Sequence, residues 1–403
     1  MAQRKKRQTG RAELPHDGPA DILAFPHRGP APPVPLPLAR RLAYFAVPFG
    51  LFFGLLAAVE LTVRATQRPV STLEVFVQAP EQHRGFRDVH GINVFEGDPM
   101  LFWRVAPSLR KIVWDFTPLS TNAQGLRYPR AVGAKGRDTF RVACFGDSVT
   151  FGYRVPVAWP EQPEVYNAAH QPFSQLLEAS LRQANPRRDI EVVPFAVPGY
   201  SSHQGLAWLR RDIEALKPDV VVACYGWNDI NRRARTDRET MSTAMLPVLF
   251  RRLTGYSQTL LQASARWQGV RGRTDAARGA VTRVPTAEYV ENLREMVRLS
   301  RQSGAKALVI APFFRDAKTE PLEAQRMAEH RRALGQAMAA DGTPYLEIVE
   351  LTEASWPGND TLFGERIHPS WLGHRLIATR LAEALQTHHM LAGLEAPAPL
   401  PQS

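Results

Sequence analysis

The stretch Arg141-Val-Ala-Cys-Phe-Gly-Asp-Ser-Val-Thr-Phe-Gly152 decides the fold. An apolar run that breaks at Gly146-Asp147-Ser148 has the pattern of a parallel strand buried on both faces and ending at the rim of a sheet. That rim is where open α/β sheets place their ligands. A serine just past the strand end can project its hydroxyl into the crevice while its own N–H faces the same space. One residue then supplies both attack and charge stabilisation. Taken alone, the tripeptide Gly-Asp-Ser reads equally as a plain turn.

Outward from this stretch, residues 137–390 alternate apolar strands with helix-period segments. Strands are expected at Arg141–Phe145, Ile190–Ala196, Val220–Tyr225, Lys306–Pro312 and Tyr345–Leu351. Helices are expected at Phe173–Gln183, His203–Leu216, Ala287–Ser303, Leu322–Ala340 and Trp371–Gln386, with Ser202 and Thr286 as N-caps and Gly304 and Gly342 as stops. Strands spaced by helices imply an α/β fold with a parallel sheet covered on both faces. One insertion, residues 230–283, breaks the rhythm after the third strand. It carries eleven arginines against Asp237, Glu239 and Asp275, with a helix near Leu260–Trp267, and reads either as a solvated excursion or as a cationic surface over the site. Residues 64–136 are irregular and rich in aromatic and β-branched residues, a β-rich prelude that either packs on the sheet edge or walls the crevice.

The chain has 403 residues, 44% of them hydrophobic, and a formal charge of +11, enough for an ordinary core plus an appendage. That charge leaves anionic partners open, but no nucleic-acid signature accompanies it and no nucleic acid is expected. Part of the excess lies in residues 1–41, a basic and proline-rich tail expected to be disordered. Leu42–Val59 is uncharged throughout, and Leu61–Val63 extends the run past Glu60 to bilayer-spanning length. Residues 42–63 therefore read as one transmembrane helix in contact with the lipid bilayer. A signal peptide is the rival, with a shorter apolar region and a small-residue cleavage site that this stretch lacks. The cationic N-terminal flank places that end in the cytoplasm and the rest of the chain outside. Residues 391–403 are expected to form a disordered tail. The two cysteines, Cys144 and Cys224, lie in apolar runs and read as buried thiols on neighbouring strands; no disulfide framework, metal site or cofactor is implied.

Three features at other strand ends converge on Ser148. The second strand runs into Val197-Pro198-Gly199-Tyr200, where glycine permits a positive φ or close backbone approach, so that its N–H can face a reacting oxygen. The third ends in Gly226-Trp227-Asn228-Asp229. The Asn228 amide is a neutral donor for a developing oxyanion, and Asp229 is suited to fixing the loop. Before the last helix comes Gly364-Glu365-Arg366-Ile367-His368-Pro369, a histidine able to take a hydroxyl proton with a carboxylate three residues earlier to orient it. His203, His330 and His374 read as packing or surface residues, and His388 and His389 as a solvated helix end.

In this order, Gly146-Asp147-Ser148, Gly199, Gly226-x-Asn228-Asp229 and carboxylate-x-x-His368-Pro resemble the SGNH (GDSL-type) hydrolases over about residues 141–386. The resemblance implies a flavodoxin-like α/β/α sandwich with about five parallel strands. It implies Ser148 as nucleophile, His368 as general base, and an oxyanion hole formed by the Ser148 and Gly199 N–H groups with the Asn228 amide. Where the family usually has Asp, this chain has Glu365. Glu365 is expected to orient His368, with Asp360 or a backbone carbonyl as the other choices. The function expected is a membrane-anchored extracytoplasmic serine esterase acting on acyl esters, acetyl groups of an envelope or exported polysaccharide first among them. A lipase or lysophospholipase, an acyltransferase on the same site, and a non-catalytic glycan-binding protein are the alternatives.

Overall fold

The computed structural model describes residues 37–76, 90–115, 117–155, 169–241, 245–276, 280–315, 320–353 and 356–400. The basic tail expected over residues 1–41 lies almost wholly outside them. The chain divides into two units after Ala58. Leu38–Thr66 forms one helix, α1, of 29 residues with Pro48 inside it, and it is long and apolar enough to cross a membrane. At about 1.5 Å per residue it exceeds the roughly 30 Å hydrocarbon core of a bilayer.

The second unit is built on a five-stranded parallel sheet: β1 Thr139–Gly146, β2 Asp189–Ala196, β3 Val220–Cys224, β4 Lys306–Ile310 and β5 Tyr345–Leu346, in the order β5-β4-β3-β1-β2. Alternate residues point to opposite faces, and both faces are apolar. Val142, Cys144, Val222 and Leu308 join one core cluster, and Ala143, Phe145, Val221 and Val309 join the other. This is why the strands read as continuous apolar runs and not as alternating ones. Pro194 falls inside β2, where it is tolerated because β2 is an edge strand.

The helices α2 (Phe173–Ala184) and α8 (Trp371–Thr387) cover the first face. The other is covered by α3 (Ser202–Leu216), α6 (Thr286–Gln302) and α7 (Pro321–Ala340). The result is the sandwich the sequence implies. The order reverses at β1, whose neighbours are the next two strands in the chain, so the crevice at the carboxyl ends of β1 and β3 is the natural ligand position.

Several details differ from the sequence reading. The cap of α3 is Ser201, not Ser202: the Ser201 hydroxyl accepts from the Gln204 N–H and the Gln204 side chain accepts from the Ser201 N–H. Pro285 precedes α6, and Thr286 instead donates to Glu329. The fifth strand ends at Leu346, because Ile348 and Leu351, three apart and both buried, face the core from a helical turn over Val349–Thr352. Residues 391–400, expected to be disordered, are tied to α2 through Glu395 N–H to Asn185 Oδ1 (2.7 Å) and Ala398 N–H to the Ser180 carbonyl (3.2 Å). Cys144 and Cys224 are buried free thiols on adjacent strands.

Among its described residues the prelude forms two antiparallel pairs, Phe95–Asp98 with Phe102–Val105 and Ile112–Trp114 with Thr117–Leu119, preceded by a short helix at Thr72–Phe76. Phe95, Phe102, Trp103 and Trp114 join the core on the Phe145 face. Among its described residues the insertion holds a short helix at Asp237–Thr240 and two longer ones, α4 (Met245–Tyr256) and α5 (Gln258–Ala276), where one was expected. Its ends are joined by a short antiparallel pairing of Arg232–Arg233 with Val281–Thr282.

Candidate active site

Ser148 opens a single helical turn after β1, with Asp147 as its cap: the Asp147 carboxylate accepts from the Val149 N–H at 3.0 Å. Gly146 has no room for a Cβ, which would fall 2.0 Å from the Thr150 hydroxyl. The turn is thereby packed tightly against the strand end and Ser148 is presented at the rim. His368 arrives from the loop before α8, which an isolated bridge between Phe363 and Pro369 closes. The His368 Nε2 lies 2.8 Å from the Ser148 Oγ, and its Nδ1 is hydrogen-bonded to the Glu365 carboxylate. Ser148 and His368 are both buried.

Glu365 therefore occupies the position expected of the orienting carboxylate. Burial pushes its pKa up, but the hydrogen bond to His368 and the charges of His368, Arg154 and Arg366 hold it below the ordinary carboxylate range. Asp360 is elsewhere, exposed and paired with Arg315.

The proposed oxyanion donors come from three strand ends. Gly199 adopts a φ of +87°, which an L side chain rarely adopts. Among the described residues, no acceptor within the protein is assigned to the N–H of Ser148 or of Gly199. Asn228 is brought to the same place but is engaged: its Nδ2 donates to the Asp147 carboxylate at 3.1 Å and to the Tyr200 carbonyl at 3.0 Å. Both partners are acceptors, so the amide orientation is determined by its surroundings. Burial pushes the Asp147 carboxyl up to about 6, against the hydrogen bonds from Val149 and Asn228. Asp229 accepts from the Ser202 N–H at 3.0 Å and fixes the loop to the start of α3; burial pushes it up to about 8.

Sequence reading missed two sets of neighbours. Asp115, from the second prelude hairpin, accepts from Arg154 Nε at 2.8 Å and from the Tyr153 hydroxyl, and the Tyr153 ring lies 4.5 Å from the His368 ring. The prelude thus fastens Tyr153 and Arg154, and it is Tyr153 that lies against the imidazole. On the other flank, Trp103 donates its indole N–H to the Pro198 carbonyl at 3.2 Å. Arg283, at the end of the insertion, donates to the Gly199 carbonyl at 2.6 Å while its Nε pairs with Asp237 at 2.8 Å. No local motif marks these residues; only the capping box at Thr236–Glu239 hinted that the start of the insertion is ordered.

His374 is fully buried, with its Nδ1 accepting from the Phe173 N–H at 3.2 Å, and burial lowers its pKa to about 3. It packs, as expected from the sequence. Among the described residues, no group of three or more His, Cys, Asp or Glu side chains is placed to hold a metal ion.

Solved structures similar to this chain include LAE5, an alpha/beta hydrolase enzyme from the metagenome of Lake Arreo, Spain, at 20% identity and TM-score 0.41, covering 63% of this chain and 96% of that one. Another is Axe2, an acetylxylan esterase from Geobacillus stearothermophilus, at 17% identity and TM-score 0.41, covering 66% and 99%. A third is the lipase/acylhydrolase from Enterococcus faecalis, at 18% identity and TM-score 0.40, covering 66% and 100%. No curated protein matches the chain. The GDSL-like Lipase/Acylhydrolase family matches residues 144–376, more than half of the chain and the whole span from Ser148 to His368, and the protein belongs to that family of carboxylic ester hydrolases.

Proposed function

We propose that this hydrolase is a membrane-anchored extracytoplasmic serine esterase that removes acetyl or other short acyl groups from an envelope or exported polysaccharide. The observation that carries the catalytic part is the 2.8 Å approach of His368 Nε2 to Ser148 Oγ, with Glu365 on the other ring nitrogen. In this reading the Ser148 oxygen attacks the acyl carbon as His368 takes its proton. The carbonyl oxygen becomes an oxyanion facing the Ser148 and Gly199 N–H groups. The Asn228 amide joins as a third donor by exchanging one of its two present acceptors for the oxyanion. His368 then protonates the leaving alcohol. A water molecule, deprotonated by the same imidazole, releases the acid from Ser148.

The short-acyl and polysaccharide parts rest on family resemblance and on the expected topology. The polar wall of Tyr153, Arg154 and Asp115 beside His368 suits a hydroxylated leaving group. One observation favours a second reading, hydrolysis of a membrane lipid ester: the exposed apolar face of α4.

The test is the full chain in detergent, assayed on nitrophenyl esters of increasing chain length beside Ser148→Ala. The proposal expects activity that vanishes in the variant and falls steeply beyond acetate. Equal rates in the two proteins would remove the catalytic reading, and a preference for long chains would transfer the substrate to lipids.

A further inference from the structure

The helix α4 has two unlike faces. Val248 and Thr254 are buried and Arg251 donates to the Pro99 carbonyl, so this side packs on the protein. On the opposite side Leu246, Leu249, Phe250, Leu253 and Tyr256 follow one another at helical spacing, and all are exposed, Leu246 at 71% and Tyr256 at 83%. An apolar stripe of this kind on a surface helix marks an interaction site.

What adjoins it indicates the partner. From Val59 onward the last turns of α1 belong to the same unit as the catalytic sheet. Glu60, the one carboxylate in the apolar run, caps the start of α5: it accepts from the Ser257 hydroxyl at 2.8 Å, the Gln258 N–H at 2.8 Å and the Thr259 N–H at 3.0 Å. Arg64 donates to the Tyr256 carbonyl at 3.0 Å and so closes the end of α4. The junction between α4 and α5 is thus fastened on both sides to the end of the apolar helix. The charge that interrupts the hydrophobic run is satisfied within the protein, by the two N–H groups, the Ser257 hydroxyl and the Arg64 guanidinium at 2.7 Å, as a carboxylate near a bilayer must be.

We propose that α4 lies in the membrane interface, with Leu246, Leu249, Phe250, Leu253 and Tyr256 inserted among the acyl chains and Arg252 at the level of the lipid phosphates. The partner is the bilayer that α1 crosses, so the proposal rests on the membrane-anchored reading. A helix with an apolar stripe and a flanking cation lies in the interfacial plane without crossing it. Held by Glu60 and Arg64 at the exit of the span, α4 forms a second membrane contact and restricts rotation of the catalytic unit about its tether.

Nitroxide labels on single introduced cysteines, with the native Cys144 and Cys224 buried away from the reagent, test this in the full chain, reconstituted in vesicles of phosphatidylcholine with a minority of phosphatidylglycerol. The positions are Phe250→Cys on α4, Leu51→Cys in the span and Arg187→Cys on the exposed surface, with retained ester hydrolysis as the check on folding. Collision with oxygen should exceed collision with a water-soluble nickel chelate at positions 250 and 51, and the order should reverse at 187. A label at 250 that behaves like the one at 187, while 51 stays in hydrocarbon, would overturn the interfacial helix and leave the anchor standing. A water-exposed label at 51 would overturn both. Spin–spin broadening at 250 that disappears on dilution with unlabelled chain would show a second copy covering the face, and would also overturn the proposal.

Discussion

The two flanks of Ser148 are held in different ways. On the base side, the orienting carboxylate and the imidazole lie three residues apart in one loop, Glu365 to His368, and the hydrogen bond between them is local. On the oxyanion side, Gly199 and Asn228 depend on distant segments: Trp103 from the prelude, Arg283 from the insertion, and Asp147 from the serine's own turn. In the proposed mechanism, proton transfer is organised by short-range sequence and charge stabilisation by tertiary packing. The two flanks should therefore fail differently when perturbed.

The largest effect belongs to the couple that joins them. Ser148→Ala and His368→Ala should each lower kcat by about 10⁵- to 10⁶-fold, and the double variant should be no worse than either, because residues acting as one unit are not additive. Additive losses, measured by single-turnover acyl release, would show two independent sites. Next comes the local carboxylate. Glu365→Gln should cost about 10²- to 10⁴-fold in kcat, as loss of a base's orienting partner does. Asp360→Asn, altering a residue paired with Arg315, should leave kcat unchanged.

On the oxyanion flank, Asn228→Ala should lower kcat by about 10²- to 10³-fold with little change in KM. A smaller loss would mean that the amide stays with Asp147 and Tyr200 throughout the reaction. Arg283→Lys keeps the charge that Asp237 needs but not the planar fork that also reaches Gly199. It should cost about 10- to 10²-fold in kcat, the scale of a small misplacement of a positioned group. The same substitution at an arginine with no such bond, Arg187, should cost nothing.

The smallest effect is one of pH. Asp147 has its carboxyl raised from 3.8 to about 6, so the folded chain binds an extra proton between these values. The Asp147 contribution to stability should then fall as pH rises through that window, by up to about 3 kcal/mol, and change no further above it, whereas that of Asp229, raised to about 8, continues to fall. Urea midpoints across the window should show this fall in the parent and a flatter curve in Asp147→Asn.

How much of this was legible in the sequence follows the same division. The strand ends, Ser148, and the Glu365–His368 loop could be read because their signals are local: apolar runs, a turn and a three-residue spacing. Arg283 was indistinguishable from the other arginines of the insertion, because its burial depends on Asp237, Gln204 and Gly199 folding around it. Asp115 and Tyr153 lie 38 residues apart, and their bond depends on where the prelude hairpin packs. The misread cap at Ser202 was recoverable, since Ser201 and Gln204 carry the spacing of a capping box. The fifth strand was overextended because a short apolar run does not distinguish strand from helical turn until its buried spacing is known.

The central claim is that His368 activates the Ser148 hydroxyl, and covalent trapping tests it most directly. The full chain, treated with a nitrophenyl dialkyl phosphate and digested, should carry the phosphoryl group on Ser148 by peptide mass spectrometry. That adduct should be lost in a folded His368→Ala variant. Modification of another residue, or equal labelling of Ser148 without the imidazole, would contradict the account.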